Sequence, residues 1–162
     1  MTQYSGTPAQ YAGRTIDFLA FDGAKPVGDA QLTPALVQPG QSGALITGIE
    51  KLVQRFLLEL LTEKGSLHNS LDRGTFFITQ IRAGAVRTSQ DLFAAFGAAE
   101  LELRTSLRLE EDLDNDPDDE RYRSATLLSA SLFGDTATLS IRVLSMAEDA
   151  RTVIYPLRVS KA

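Results

Sequence analysis

The hydrophobic period changes once along this chain, and that change restricts the fold more than any other feature. Between Ile49 and Leu107 apolar residues return every three or four positions, the spacing of helices that bury one face. From Ala137 to Val143 they return at every second position, the spacing of a half-buried strand. Helical segments followed by strand segments give an α+β domain, with two long helices and a short one covering one face of a C-terminal three-stranded antiparallel sheet.

The first long helix is predicted in "TGIEKLVQRFLLELLTEKG", where Ile49, Leu52, Val53, Phe56, Leu60 and Leu61 line one side. Thr47 and Glu50 stand at capping-box spacing, and Gly65 suits a left-handed stop after Lys64. "GSLHNSLDRGTFF" then reads as a loop punctuated by Gly65 and Gly74, with a brief helix over Phe76 to Ile81. The second long helix is expected to begin near Ser89. Leu92, Phe93, Phe96, Ala99, Leu103 and Leu107 share its inner face, and Thr88 and Asp91 repeat the capping spacing.

"YRSATLLSASLF" pairs through the turn Phe133 to Thr136 with the alternating strand that follows. "TVIYPLRVS" supplies the third strand, placed at an edge because Pro156 has no N–H to donate to a ladder. Residues 1–44 lack periodicity apart from an apolar island, Thr15 to Phe21, able to pair as a strand. They read either as a partly ordered tail or as a partly extended arm that docks on a partner. Residues 45–162 form the α+β domain.

With 162 residues, 43% of them hydrophobic, the chain suffices for one core. Its formal charge of -5 creates no global field toward nucleic acid or anionic lipid. The absence of cysteine removes disulfides, thiolate metal sites and cysteine nucleophiles together. No apolar run approaches transmembrane length, and "MTQYSGTPAQYAGRTIDF" lacks the pattern of a secretory signal, so a soluble, cytoplasmic chain is expected unless it is exported within something larger.

The acidic stretch "EEDLDNDPDDERYR", Glu110 to Arg123, admits three readings. Asp112, Asp114, Asp116, Asp118 and Glu120 alternate as if to ligate a hard cation. The EF-hand pattern, however, meets Pro117 where glycine is needed and Arg123 where a bidentate glutamate is needed. A solvated, self-repelling loop is the plain alternative. The third is an assembly surface, in which Arg121 and Arg123 offer planar donor forks to a partner's carboxylates.

Catalysis has little to stand on. The single histidine, His68, lies in a polar loop without a glycine-flanked nucleophile. Glu59 and Asp72 could be nominated as a glycosidase pair, yet among 21 acidic residues such a nomination is unspecific. No phosphate-binding glycine loop, dinucleotide fingerprint or metal-binding histidine pair occurs, so no catalytic residue, cofactor or metal is assigned.

The segment "TGIEKLVQRFLLELLTEKGSLHNSLDRGTFF" resembles the opening of the baseplate wedge and sheath-initiator family of contractile phage tails. Members also occur in type VI secretion baseplates and are often labelled lysozyme-like. The shared elements are an amphipathic helix ending in Leu60, Leu61 and Thr62, then Gly65, then a loop closing in Gly74 and Thr75. The order of helix and strands over about residues 45 to 160 also follows the family. Its Glu-Pro-Arg signature, just before the first strand of the sheet, falls on "DERY": Asp119 and Glu120 replace Glu and Pro, and Arg121 or Arg123 takes the arginine seat.

The resemblance implies a structural subunit that is not an enzyme, repeated around a sixfold baseplate in the virion tail after synthesis in the host cytoplasm. Its implied partners are larger wedge proteins, the tail sheath protein and the central hub or spike proteins, with no nucleic acid or membrane. A secretion or other injection-device baseplate subunit, and a small peptidoglycan hydrolase suggested by the family's label, are the alternatives. Implied partner-binding residues are Asp119, Glu120, Arg121 and Arg123, together with Val153, Ile154, Leu157 and Val159 on an edge strand open to a partner's strand.

Overall fold

The computed structural model describes residues 14–18, 45–114 and 116–158. Their elements are β1 (Asp17–Phe18), β2 (Leu45–Ile46), α1 (Gly48–Leu61), α2 (Phe77–Arg82), α3 (Ser89–Asp114), β3 (Tyr122–Phe133), β4 (Thr136–Ser145) and β5 (Ala150–Arg158). The fold is α+β: α1 and α3 lie against a three-stranded antiparallel sheet of order β3-β4-β5, α2 packs on those two helices, and β1 pairs antiparallel with β2.

In α1 the residues Leu52, Val53, Phe56, Leu57 and Leu60 are buried, on the side the spacing predicts. The helix ends at Leu61, earlier than the expected stop after Lys64. The N–H and the hydroxyl of Thr62 both donate to the carbonyl of Leu58, at 3.0 and 2.7 Å, so the chain turns out one residue later. Gly74 explains why the loop closes where it does. It sits at φ +86, and an added Cβ would lie 2.4 Å from the Thr62 carbonyl oxygen. The next residue, buried Thr75, donates its N–H to that oxygen at 2.9 Å and its hydroxyl to Leu60 O at 2.9 Å. A glycine followed by a hydroxyl residue thus fastens the loop's far end to the carbonyls left over at the end of α1.

The brief helix predicted over Phe76 to Ile81 is α2, displaced by one residue, with Phe77 and Ile81 buried. The second long helix differs more. Its buried stripe of Leu92, Ala95, Phe96, Ala99, Leu103 and Leu107 continues into the acidic stretch, and the helix runs on to Asp114. Phe93, expected on the inner face, is 42% exposed. Glu111, four residues after Leu107, is buried, so the stripe ends in a carboxylate.

The strand prediction for Tyr122 to Phe133 coincides with β3, and β4 turns Ala137, Leu139, Ile141 and Val143 inward. Strand β5 lies at the sheet edge beside β4, with Pro156 opposite Thr138. Tyr122 joins the two layers. Its ring stacks on Phe56 at 5.6 Å between centroids, and its hydroxyl donates to Glu100 Oε1 at 2.9 Å. Burial and the neighbouring Glu100 carboxylate push the phenol well above its ordinary range.

Candidate assembly site

Asp119 and Glu120 close the short turn after Pro117, where the Glu120 N–H donates to the Pro117 carbonyl at 2.8 Å. From there they meet the start of α1. The Glu120 side chain is 1% exposed. Its Oε1 accepts the N–H of Gly48 at 3.1 Å, and its Oε2 accepts from Lys51 Nζ at 3.1 Å and from the Thr15 hydroxyl. Asp119 Oδ2 pairs with Arg14, which also donates to the Thr47 hydroxyl at 3.2 Å, and Gln54 donates to Asp17 at 3.0 Å. The segment 14–18 is therefore strapped across the first turns of α1 by polar contacts.

This geometry revises the capping expectation. Thr47 precedes α1 but makes no side-chain capping bond, and Glu50 turns toward β5, where Arg151 Nη2 lies 3.5 Å away. The helix's first N–H is satisfied instead by Glu120, from 72 residues further along the chain. Negative charge there also matches the positive end of the helix dipole.

Much of the rest of the acidic stretch is paired within the chain in the described residues. Glu111 accepts the Tyr122 N–H with both oxygens, at 2.9 and 2.8 Å. Arg55 approaches Glu110 at 3.0 Å, Asp116 at 3.4 Å and Glu111 at 3.5 Å, and Arg73 approaches Glu110 and Glu59 at 2.8 Å each. Burial raises the Glu111 carboxyl's pKa, opposed by the Tyr122 N–H bonds and by the charge of Arg55. Asp118 is exposed near Arg121, while Asp112 and Asp114 fall on α3 rather than in a loop. Among the described residues no group of three metal-ligating side chains comes together.

The two arginines differ. Arg121 Nη1 lies 3.7 Å from Asp118 Oδ1, and its positive charge is among those acting on Glu111. Arg123, on β3, donates to Glu148 at 2.9 Å and is the more exposed of the two, at 45% against 31% for the side chain. On β5 the side chains alternate. Val153 and Leu157 are buried in the core, because a strand packed on one face turns every second side chain inward. Ile154, 60% exposed, faces out; Val159 lies outside the described residues.

His68 sits exposed in a turn. Glu59 is committed to Arg73 and to the N–H of Gly74 at 3.1 Å, whereas Asp72 is exposed. Arg14, Thr15, Lys51, Arg55 and Glu111 were not singled out from the sequence. Only Glu111 carried a readable signal there, being the next position on the stripe 99, 103, 107.

What this corner offers chemically is a polar joint, with buried carboxylates receiving cations and N–H donors of the chain itself. Comparison with family models, with curated proteins and with solved structures finds no match. No helix among the described residues is long and apolar enough to cross a membrane.

Proposed function

We propose that this chain is a structural wedge subunit of a contractile-tail baseplate, repeated around the sixfold axis, which binds larger wedge proteins and starts sheath assembly. The observation that carries this reading is the arrangement of β5: it pairs with β4 alone among the described strands and turns Ile154 outward on its uncovered face. A margin of this kind accepts a partner's strand, with backbone hydrogen bonds for affinity and side chains for register. The motif resemblance through Thr62, Gly65, Gly74 and Thr75 supports the family, and Arg123, exposed at the start of β3, supports a carboxylate-bearing partner beside the same sheet.

Further support comes from the outer side of α3. Phe93, Leu101 and Leu109 are 42, 62 and 64% exposed, and Gly97 stands between the first two at the same four-residue spacing. A surface of that composition suits a subunit packed among others.

The test is Ile154→Lys in the assembling tail. A charge on an edge strand blocks strand addition, and an exposed site spares the fold, so incorporation into particles should fall about tenfold with an unchanged melting temperature. Wild-type levels of incorporation for this variant and for Arg123→Ala would reject the reading.

A further inference from the structure

The strap formed by residues 14–18 has the makings of an exchangeable part. Among the described residues its contacts include the two-residue strand β1 on β2, the ion pair to Asp119, and hydrogen bonds involving Arg14, Thr15 and Asp17. Ile16 is 43% exposed. The receiving surface, in contrast, is built into the core, since Glu120 is buried and already holds the N–H of Gly48 and the ammonium of Lys51. Gly48 is fitted to the docked arrangement. It sits at φ +60, and a Cβ there would lie 2.9 Å from both Arg14 Nη1 and Asp119 Oδ2. The seat is thus shaped around the docked segment, with a buried carboxylate, Glu120, and a partly buried one, Asp119, turned toward it.

We infer that the seat at Gly48, Lys51, Asp119 and Glu120 is an intersubunit socket, filled by residues 14–18 of the same chain in the free subunit and by residues 14–18 of a second copy when copies are adjacent. The occupant follows from three points. A second copy's segment makes the same contacts, so exchange is close to neutral in energy and is decided by local concentration. The 26 residues between Phe18 and Leu45 (19–44) set an upper limit of about 90 Å on the separation of the segment from its own β2. The segment also carries Arg14 toward a seat that presents Asp119 and Glu120, so the charges select it. The inference draws on the proposed function only for its supply of neighbouring copies.

The absence of cysteine makes the test clean. Phe18 and Leu45 are Cα partners across β1 and β2, and antiparallel partners lie within disulfide range. Purified full chains carrying Phe18→Cys are mixed with full chains carrying Leu45→Cys under a mild oxidant. A mixed disulfide should form, its yield rising with protein concentration, and Arg14→Glu in the Phe18→Cys chain should lower that yield about tenfold. Asp119→Arg in the Leu45→Cys chain should then restore it. If the mixed disulfide forms no more readily than with Arg14→Glu, or if the charge-swapped pair stays at the lowered yield while both chains melt normally, the socket is not shared between copies. Should Asp119→Arg fail to fold, the Arg14→Glu comparison alone decides. Because the measurement uses the chain by itself, it can fail while baseplate incorporation succeeds, and the reverse.

Discussion

The two long helices begin with the same sequence device and solve their first turn differently. At α3 the box closes locally: Thr88 Oγ1 accepts the Asp91 N–H at 3.1 Å, and Asp91 Oδ2 accepts the N–H groups of Thr88 and Arg87 at 2.9 Å each. At α1 the matching Thr47 and Glu50 are both diverted, one to Arg14 and the other toward Arg151, and Glu120 takes over the cap. The start of α3 is exposed, so only local partners compete for it; the start of α1 is buried under the turn and the strap, where a carboxylate sheltered from water binds N–H groups and cations more strongly. A capping motif therefore acts as written only where the tertiary structure leaves it alone.

The contrast is tested most strongly by carboxylate removal. Glu120→Ala leaves the Gly48 N–H and Lys51 without their shared acceptor and should cost roughly 3 kcal/mol in denaturant unfolding. Glu50→Ala, at the carboxylate position of the capping box, removes only a surface pair and should cost a few tenths of a kcal/mol. Equal losses for the two would mean that α1 is capped locally after all.

Glycine substitutions sharpen the comparison at an intermediate size. Gly48→Ala forces a Cβ into a left-handed position against Arg14 and Asp119 and should destabilise by about 2 kcal/mol. Gly97→Ala, within α3 and with nothing within 4 Å of the added Cβ, should stabilise by about 1 kcal/mol. Thermal melts of the two variants should move in opposite directions.

The smallest effects are in the pH profile, and the two carboxylates associated with α3 have opposite signs. Hydrogen bonds from the Arg87 N–H and the Thr88 hydroxyl lower the Asp91 pKa from 3.8, so its contribution is present above about that pH and is lost as pH falls through the folded value. Burial raises the Glu111 pKa from 4.5, so its contribution is complete below that value and is lost as pH rises through the folded one. Asp91→Asn should flatten the acid limb of a melting-temperature profile, while Glu111→Gln should gain on the wild type as pH rises above 4.5.

Much of the architecture was legible because it rests on periodicity. The apolar faces of α1 and α3, the alternation in β4 and the edge position set by Pro156 each depend on residues a few positions apart, and the structure has them as expected apart from Phe93. The candidate site was legible only in part. Asp119 and Glu120 were singled out as contacts to another protein, whereas the groups they meet within the chain, Arg14, Thr15, Gly48 and Lys51, lie 69 to 105 positions away, beyond the reach of any local pattern.

The sequence by itself determined which faces are apolar and the order of the three helices and of the three strands of the main sheet, because local spacing fixes those properties. Only the tertiary structure decided the fate of the charges. Whether an acidic residue is solvent-facing, buried as a cap or bound to an arginine depends on what packing brings within about 3 Å of it, where a hydrogen bond or ion pair forms. The run Glu110 to Glu120 reads as uniform acidity along the chain, yet in the fold Glu111 closes onto Tyr122, Asp116 onto Arg55 and Glu120 onto α1.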